Sequence, residues 1–187
     1  MIGQLLLEAR PGISILRADY SEINEMFLQN HYLHRKRVGV GIGYWVTLDQ
    51  EVVGGVLYSD VPTPLPNYLD WLELSRYWLH PTVQGKTLTD SKGRTHTLPV
   101  ASKSIALSLK QLRKDYHREL PHRTPLMGVI SWSDDTLFTG TIYKACNFVL
   151  DEANAAGVTS GIRKGIPKPI HDDYSNPKKR WRYTYRK

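Results

Sequence analysis

The sequence predicts an α/β protein with a mixed, mostly antiparallel central sheet and helices on both faces. Three observations predict it. Two strand-like runs, 44–48 and 52–58, flank Asp49-Gln50-Glu51 and make a hairpin signal. An amphipathic helix over 102–117 separates strands at 69–79 and 127–132, the spacing of a parallel crossover. Short connections join the earlier strands, which makes them antiparallel.

Taken in order, 13–17 reads as the first strand, and a helix follows Asp19. Ser21 is its expected N-cap, with Ile23, Met26, Phe27 and Asn30 near one face. The stretch Gly39-Val40-Gly41-Ile42-Gly43 lacks the Lys-Ser/Thr of a phosphate-cradling loop and is no nucleotide site by itself. After the hairpin, Pro62, Pro64 and Pro66 make a loop, and the strand 69–79 closes at His80-Pro81. Residues 82–99 are polar, with Gly85 and Gly93, and read as a long loop or insertion. In the helix 102–117, Ile105, Leu109, Leu112 and Tyr116 recur at helical spacing, while Lys103, Lys110, Arg113 and Lys114 face outward. Beyond the strand 127–132, Ser133-Asp134-Asp135 offers a turn or cap, 141–146 a short helix, 147–150 a strand and 180–185 a terminal strand. No internal repeat is present.

The chain has 187 residues, the size of one domain over 1–187. No apolar run reaches the ~20 residues that span a bilayer, and the apolar start, cut off by Glu8, does not read as a signal peptide. A single cysteine, Cys146, permits no internal disulfide, so a cytoplasmic location is expected. The net charge of +7 is unevenly placed. Residues 163–187 hold nine Lys/Arg against two Asp/Glu, interleaved with Tyr174, Trp181, Tyr183 and Tyr185; residues 1–162 balance at 16 against 16. Basic and aromatic residues together suit a phosphate backbone with stacked bases, whereas a solvated edge strand would use the same composition.

The element order resembles the GNAT acyltransferase fold. Glu73-Leu74-Ser75-Arg76-Tyr77-Trp78-Leu79-His80-Pro81 matches the pattern common on the strand before its main helix, and Tyr143-Lys144-Ala145-Cys146-Asn147-Phe148 its last-helix step. A narrower resemblance is to the phage Mom-type family, GNAT-like proteins that modify the exocyclic amine of adenine in DNA and protect it from host restriction. It rests on Leu72 to Arg76, Ala101 to Ile105, Ser131 to Asp135 and Gly140 to Phe148. The resemblance implies an enzyme that transfers an acyl-type group to adenine N6, with DNA as partner, acting in the host cytoplasm. Acetyl-CoA or another acyl or carbon donor would serve it. The usual glycine loop ahead of the main helix is absent, and Ser102, Lys103 and Ser104 stand in its place as the expected donor site. The alternative is an acyl-CoA-dependent N-acetyltransferase acting on a small molecule or protein, or a non-catalytic nucleic-acid-binding protein.

Site residues follow. The resemblance makes Tyr143 the general acid, against packing as a core ring. Asp134 orients the amine or caps a turn. His31 and Tyr32, beside Arg35, Lys36 and Arg37, form a DNA-facing corner, and Arg76 binds phosphate or pairs with a carboxylate. Lys178, Lys179, Arg180 and Arg182 bind the DNA backbone, and Tyr44, Tyr58, Trp71 or the tail aromatics stack a flipped base. Glu73 and Arg76, three apart, fall on opposite faces of a regular strand. His31 and His34 lack a third ligand, so the sequence leaves a metal open; it leaves the oligomeric state open too, a homodimer included.

Overall fold

A computed structural model describes residues 12–61, 70–89, 92–134, 136–152 and 178–185. Asp135, Tyr174, the prolines at 62, 64 and 66, and the basic stretch 163–177 lie outside the described residues.

The chain runs β1 (Ile13–Ala18), α1 (Tyr20–Asn30), β2 (Gly41–Leu48), β3 (Glu51–Asp60), β4 (Trp71–Leu79), a 3-10 turn (Pro81–Val83), β5 (Thr87–Thr89), β6 (Thr95–Thr97), α2 (Val100–Glu119), β7 (Gly128–Asp134), α3 (Thr141–Ala145), β8 (Val149–Glu152) and β9 (Lys178–Thr184). Seven strands form one sheet in the order β1-β2-β3-β4-β7-β9-β8. All its ladders are antiparallel except β4 with β7. The fold is the expected mixed sheet. The segment 82–99, expected as loop, carries the β5–β6 hairpin.

Local chemistry accounts for the elements. The N-cap of α1 is Asp19 rather than Ser21: its carboxylate accepts from the Ser21 and Glu22 amides. The β2–β3 hairpin turns on Asp49 and Gln50, both at positive φ (52° and 73°), as the tight turn matching strand twist requires. One face of the sheet packs on α2 through Ile105, Leu109, Leu112 and Tyr116, as the helical spacing predicts. The other face packs on α1 through Ile23 and Phe27. The two buried core tyrosines are hydrogen-bonded: Tyr44 Oη donates to Asp115 at 2.8 Å, and Tyr58 Oη bonds Ser108 Oγ at 2.7 Å. Both tyrosines are 1 % exposed or less, so neither can stack a flipped base.

β9 departs from the expected terminal edge strand. It lies between β7 and β8 and is paired on both sides, with Trp181 fully buried. Its basic side chains are partly enclosed. Arg180 Nε donates to Asp151 Oδ2 at 2.7 Å, and Arg182 reaches the same carboxylate at 3.7 Å. Two of the four cations assigned to a DNA backbone thus serve the sheet.

Candidate functional site

The site begins where one ladder stops. β4 and β7 pair only over Trp71↔Gly128, Leu72↔Val129 and Glu73↔Ile130. Each strand then continues, paired to its other neighbour, with no further backbone pairing between them. The result is a wedge in the middle of the sheet, opening towards the C-terminal ends of two parallel strands, where such sheets collect ligands.

A bulge shapes the wall of this wedge. Across β3 and β4, Leu57 faces Arg76 and Tyr58 faces Leu74, so Ser75 is the extra residue. The bulge resets the alternation. Leu74 and Tyr77 face α2, with Tyr77 Oη 3.1 Å from Ser104 Oγ. Glu73 and Arg76 share the α1 face, which corrects their expected placement on opposite sides.

At the apex, Ser131 Oγ donates to the Leu74 carbonyl at 2.9 Å. Its one proton is thereby used, so Tyr143 Oη donates to Ser131 Oγ across 3.0 Å. The Tyr143 ring stacks on Trp181 at 5.4 Å and 10°, and Trp181 Nε1 donates to Ser133 Oγ at 2.8 Å. Burial pushes the Tyr143 phenol up to about 12, so it holds its proton at neutral pH. Gly140 N-caps α3 in the left-handed region (φ 74°), and Asn147 follows it at φ 62°, the conformation glycine or asparagine adopts most readily. Cys146 is buried; desolvation raises its thiol to about 11, which makes it inert.

The α1 face of the wedge gathers charged groups. Glu73 is 8 % exposed, and its carboxylate takes Arg37 Nη2 at 2.5 Å. Arg37 also donates to Ser59 Oγ and the Asp60 carbonyl. Burial raises the Glu73 pKa against the pull of Arg37, Arg76 and Lys178. Asp134 lies on this face two residues beyond Trp132 and opposite Lys178; its Oδ1 accepts from the Thr136 amide at 2.9 Å and from its hydroxyl. His31 closes α1, buried against Phe27 and Tyr32. Tyr32 and Phe138 expose rings 5.7 Å apart.

On the α2 face, Ser102 is half-buried and Lys103 exposed in the first turn. Ser104 is fully buried, and its hydroxyl donates to the Ala101 carbonyl, so it packs the helix rather than facing a donor. Cys146 Sγ donates to the Ser102 carbonyl at 3.3 Å, which ties α3 to this turn.

Tyr143 stands at the apex of the wedge, Glu73 and Arg76 lie on its β4 wall, Asp134 faces Lys178 at the end of β7, and His31 and Tyr32 reach that end through Phe138. The wedge leaves Arg180 and Arg182 on Asp151, with Lys179 on the opposite face of β9 from Lys178. Sequence reasoning missed Glu73 with Arg37 as one cluster; the bulge that joins Glu73 to Arg76 leaves no mark in the alternation. Among the described residues, no group of three or more His, Cys, Asp or Glu could hold a metal, and no helix is long and apolar enough to cross a membrane.

Desolvation, helped by Arg76 and His34, lowers the His31 pKa to about 3. The unfolded chain, with His31 near its ordinary 6.5, binds the extra proton first. Stability should therefore rise with pH from about 3 to about 6.5, and His31→Phe should flatten that component in urea unfolding at a series of pH values.

No protein-family model matches the sequence, and no curated protein matches it. Solved structures do. A spermidine N-acetyltransferase SpeG chimera from Vibrio cholerae and hSSAT superposes with a TM-score of 0.54 at 12% identity, over 92% of this chain and 95% of that one. The RimL ribosomal L7/L12 α-N-protein acetyltransferase gives 0.51 at 13%, over 92% of each chain. A Desulfovibrio desulfuricans protein described as a GNAT-family acetyltransferase gives 0.50 at 12%, over 92% and 99%. The fold is that of GNAT acetyltransferases; the narrower phage resemblance rests on the sequence motifs.

Proposed function

We propose that the protein is a GNAT-type N-acyltransferase that moves an acyl group from a CoA thioester to an amino group. The wedge between β4 and β7, with Tyr143 at its apex, carries this reading.

The residues fit such a donor. Beyond Glu73, β4 leaves the β7 ladder; apart from the Leu74 carbonyl, which Ser131 Oγ takes, its wedge-side backbone groups suit the amides of a pantetheine arm. α2 begins without a side-chain cap, so its first-turn amides suit a pyrophosphate, with Lys103 beside them. When bound, the thioester supplies an activated acyl carbonyl. Glu73, its pKa raised by burial, takes the proton from the attacking amine, and Asp134 orients that amine. Tyr143 gives its proton to the departing sulfur. One N–C bond forms and one C–S bond breaks. The two proton transfers leave Glu73 protonated and Tyr143 ionised, to be reset through solvent.

For the acceptor, the named neighbours support a small-molecule or protein amine. One observation favours a second reading, adenine N6 in DNA: the exposed Tyr32 and Phe138 rings beside the α1 face would stack a base drawn out of the helix. Titration with acetyl-CoA should give heat of binding. Mass spectrometry of spermidine, of an amine-terminal peptide and of digested DNA, each incubated with protein and acetyl-CoA, should then show acylation of one of them. No heat and no acylated product would sink the transferase reading; acylated adenine would select the second acceptor.

A further inference from the structure

Resting on the transferase reading, we infer that His31 gives a hydrogen bond from Nε2–H to the acceptor. It selects an amine flanked by a hydrogen-bond-accepting group, such as an amide carbonyl, over a polyamine.

The tautomer is fixed by the end of α1. His31 Nδ1 accepts the Leu33 amide at 3.2 Å, so in the neutral ring the proton sits on Nε2. Among the described residues Nε2 makes no hydrogen bond, yet it is not sealed inside the protein. A buried imidazole that keeps one donor unspent and open is prepared to give it to a ligand. The ring itself cannot swing: Phe27 meets it edge-on at 5.9 Å and Tyr32 lies over it at 4.4 Å.

Its surroundings keep it neutral. Arg76 of β4 and His34 beyond α1 are the charged or titratable groups acting on it, and both oppose a positive ring. Ring contacts tie the position to the α1 face of the wedge: Tyr32, 4.4 Å from the His31 ring, lies 5.7 Å from Phe138, whose amide donates to the Asp134 carbonyl at the end of β7. The donor therefore stands on the side from which the acceptor reaches Glu73 and Tyr143.

The chemistry sets the selectivity. A protonated polyamine offers donors and positive charge, and would meet an N–H together with Arg37, Arg76 and Lys178. An amine beside a carbonyl offers the missing acceptor. Sites built to bond a polar group discriminate strongly against ligands that lack it.

The test uses the full chain. Long-range proton–nitrogen spectra should show His31 as the Nε2–H neutral tautomer, unmoved from about pH 5.5 to 8. With an amino-acid amide as acceptor, His31→Phe should raise the acceptor KM by about tenfold or more and leave the acetyl-CoA KM unchanged, while His31→Gln, which keeps an N–H, recovers most of the loss. Wild type should favour the amide over spermidine by a similar factor. A titrating or Nδ1–H ring overturns the inference whether or not transfer occurs. Wild-type turnover with His31→Phe unchanged, or with spermidine preferred, overturns the inference alone. If the wild type neither binds acetyl-CoA nor acylates any amine, the transferase reading falls and takes the acceptor contact with it.

Discussion

Tyr143→Phe is expected to slow acyl transfer by about 10²–10⁴-fold, the usual worth of a positioned general acid, with little change in thermal unfolding. The substitution keeps the ring that stacks on Trp181 at 5.4 Å and meets Phe148 at 5.5 Å. It removes one hydrogen bond, to Ser131, which keeps its own bond to Leu74. The stability cost should stay near about 1 kcal/mol. Single-turnover rates beside melting curves of the same samples decide it. A variant that transfers at the wild-type rate would reduce Tyr143 to a packing residue.

Gly140→Ala is expected to cost stability heavily, by about 3 kcal/mol, and to take activity with it. Gly140 sits at φ 74°, where an L side chain is strained, and a Cβ there would overlap the Trp181 indole. That indole is buried beneath Tyr143 and bonded to Ser133, so neither ring can yield without moving the apex of the wedge. Urea unfolding should report the loss, and acetyl-CoA titration of the folded fraction should report the displaced site. A midpoint equal to wild type would show that α3 shifts freely over β9.

The contrast between these two positions shows what could be read from the chain. The short helix that carries Tyr143 was legible because its motif is local, and the α2 face because 3.6-residue spacing writes itself into sequence at Ile105, Leu109 and Leu112. The hairpin at Asp49-Gln50 was legible for the same reason. The joining of Glu73 and Arg76 on one face was not, because it depends on a bulge at Ser75 set by pairing with β3. The two ends of that pairing lie far apart in the chain, and strict alternation gave the opposite face. Part of the tail's environment was hidden for a related reason. Charge counted along residues 178–182 is real, but Arg180 and Arg182 meet Asp151, on a strand that sequence cannot place beside β9. Ser104 reads like a phosphate ligand until Tyr77 is seen against it.

The insertion of β9 between β7 and β8 has a consequence for how the molecule is made. β7 and β8 are synthesised first, yet nothing pairs them until β9 arrives. Until residue 181 emerges, Tyr143 has no indole to rest on, and the apex of the wedge has no floor. The β2–β3 hairpin closes locally and can form early, whereas the half that holds the wedge waits for a contact of long sequence separation. A nascent chain would thus close its hairpin before it completes the wedge. Strand β9 acts as the keystone, and competence for chemistry should be the last property to appear during refolding.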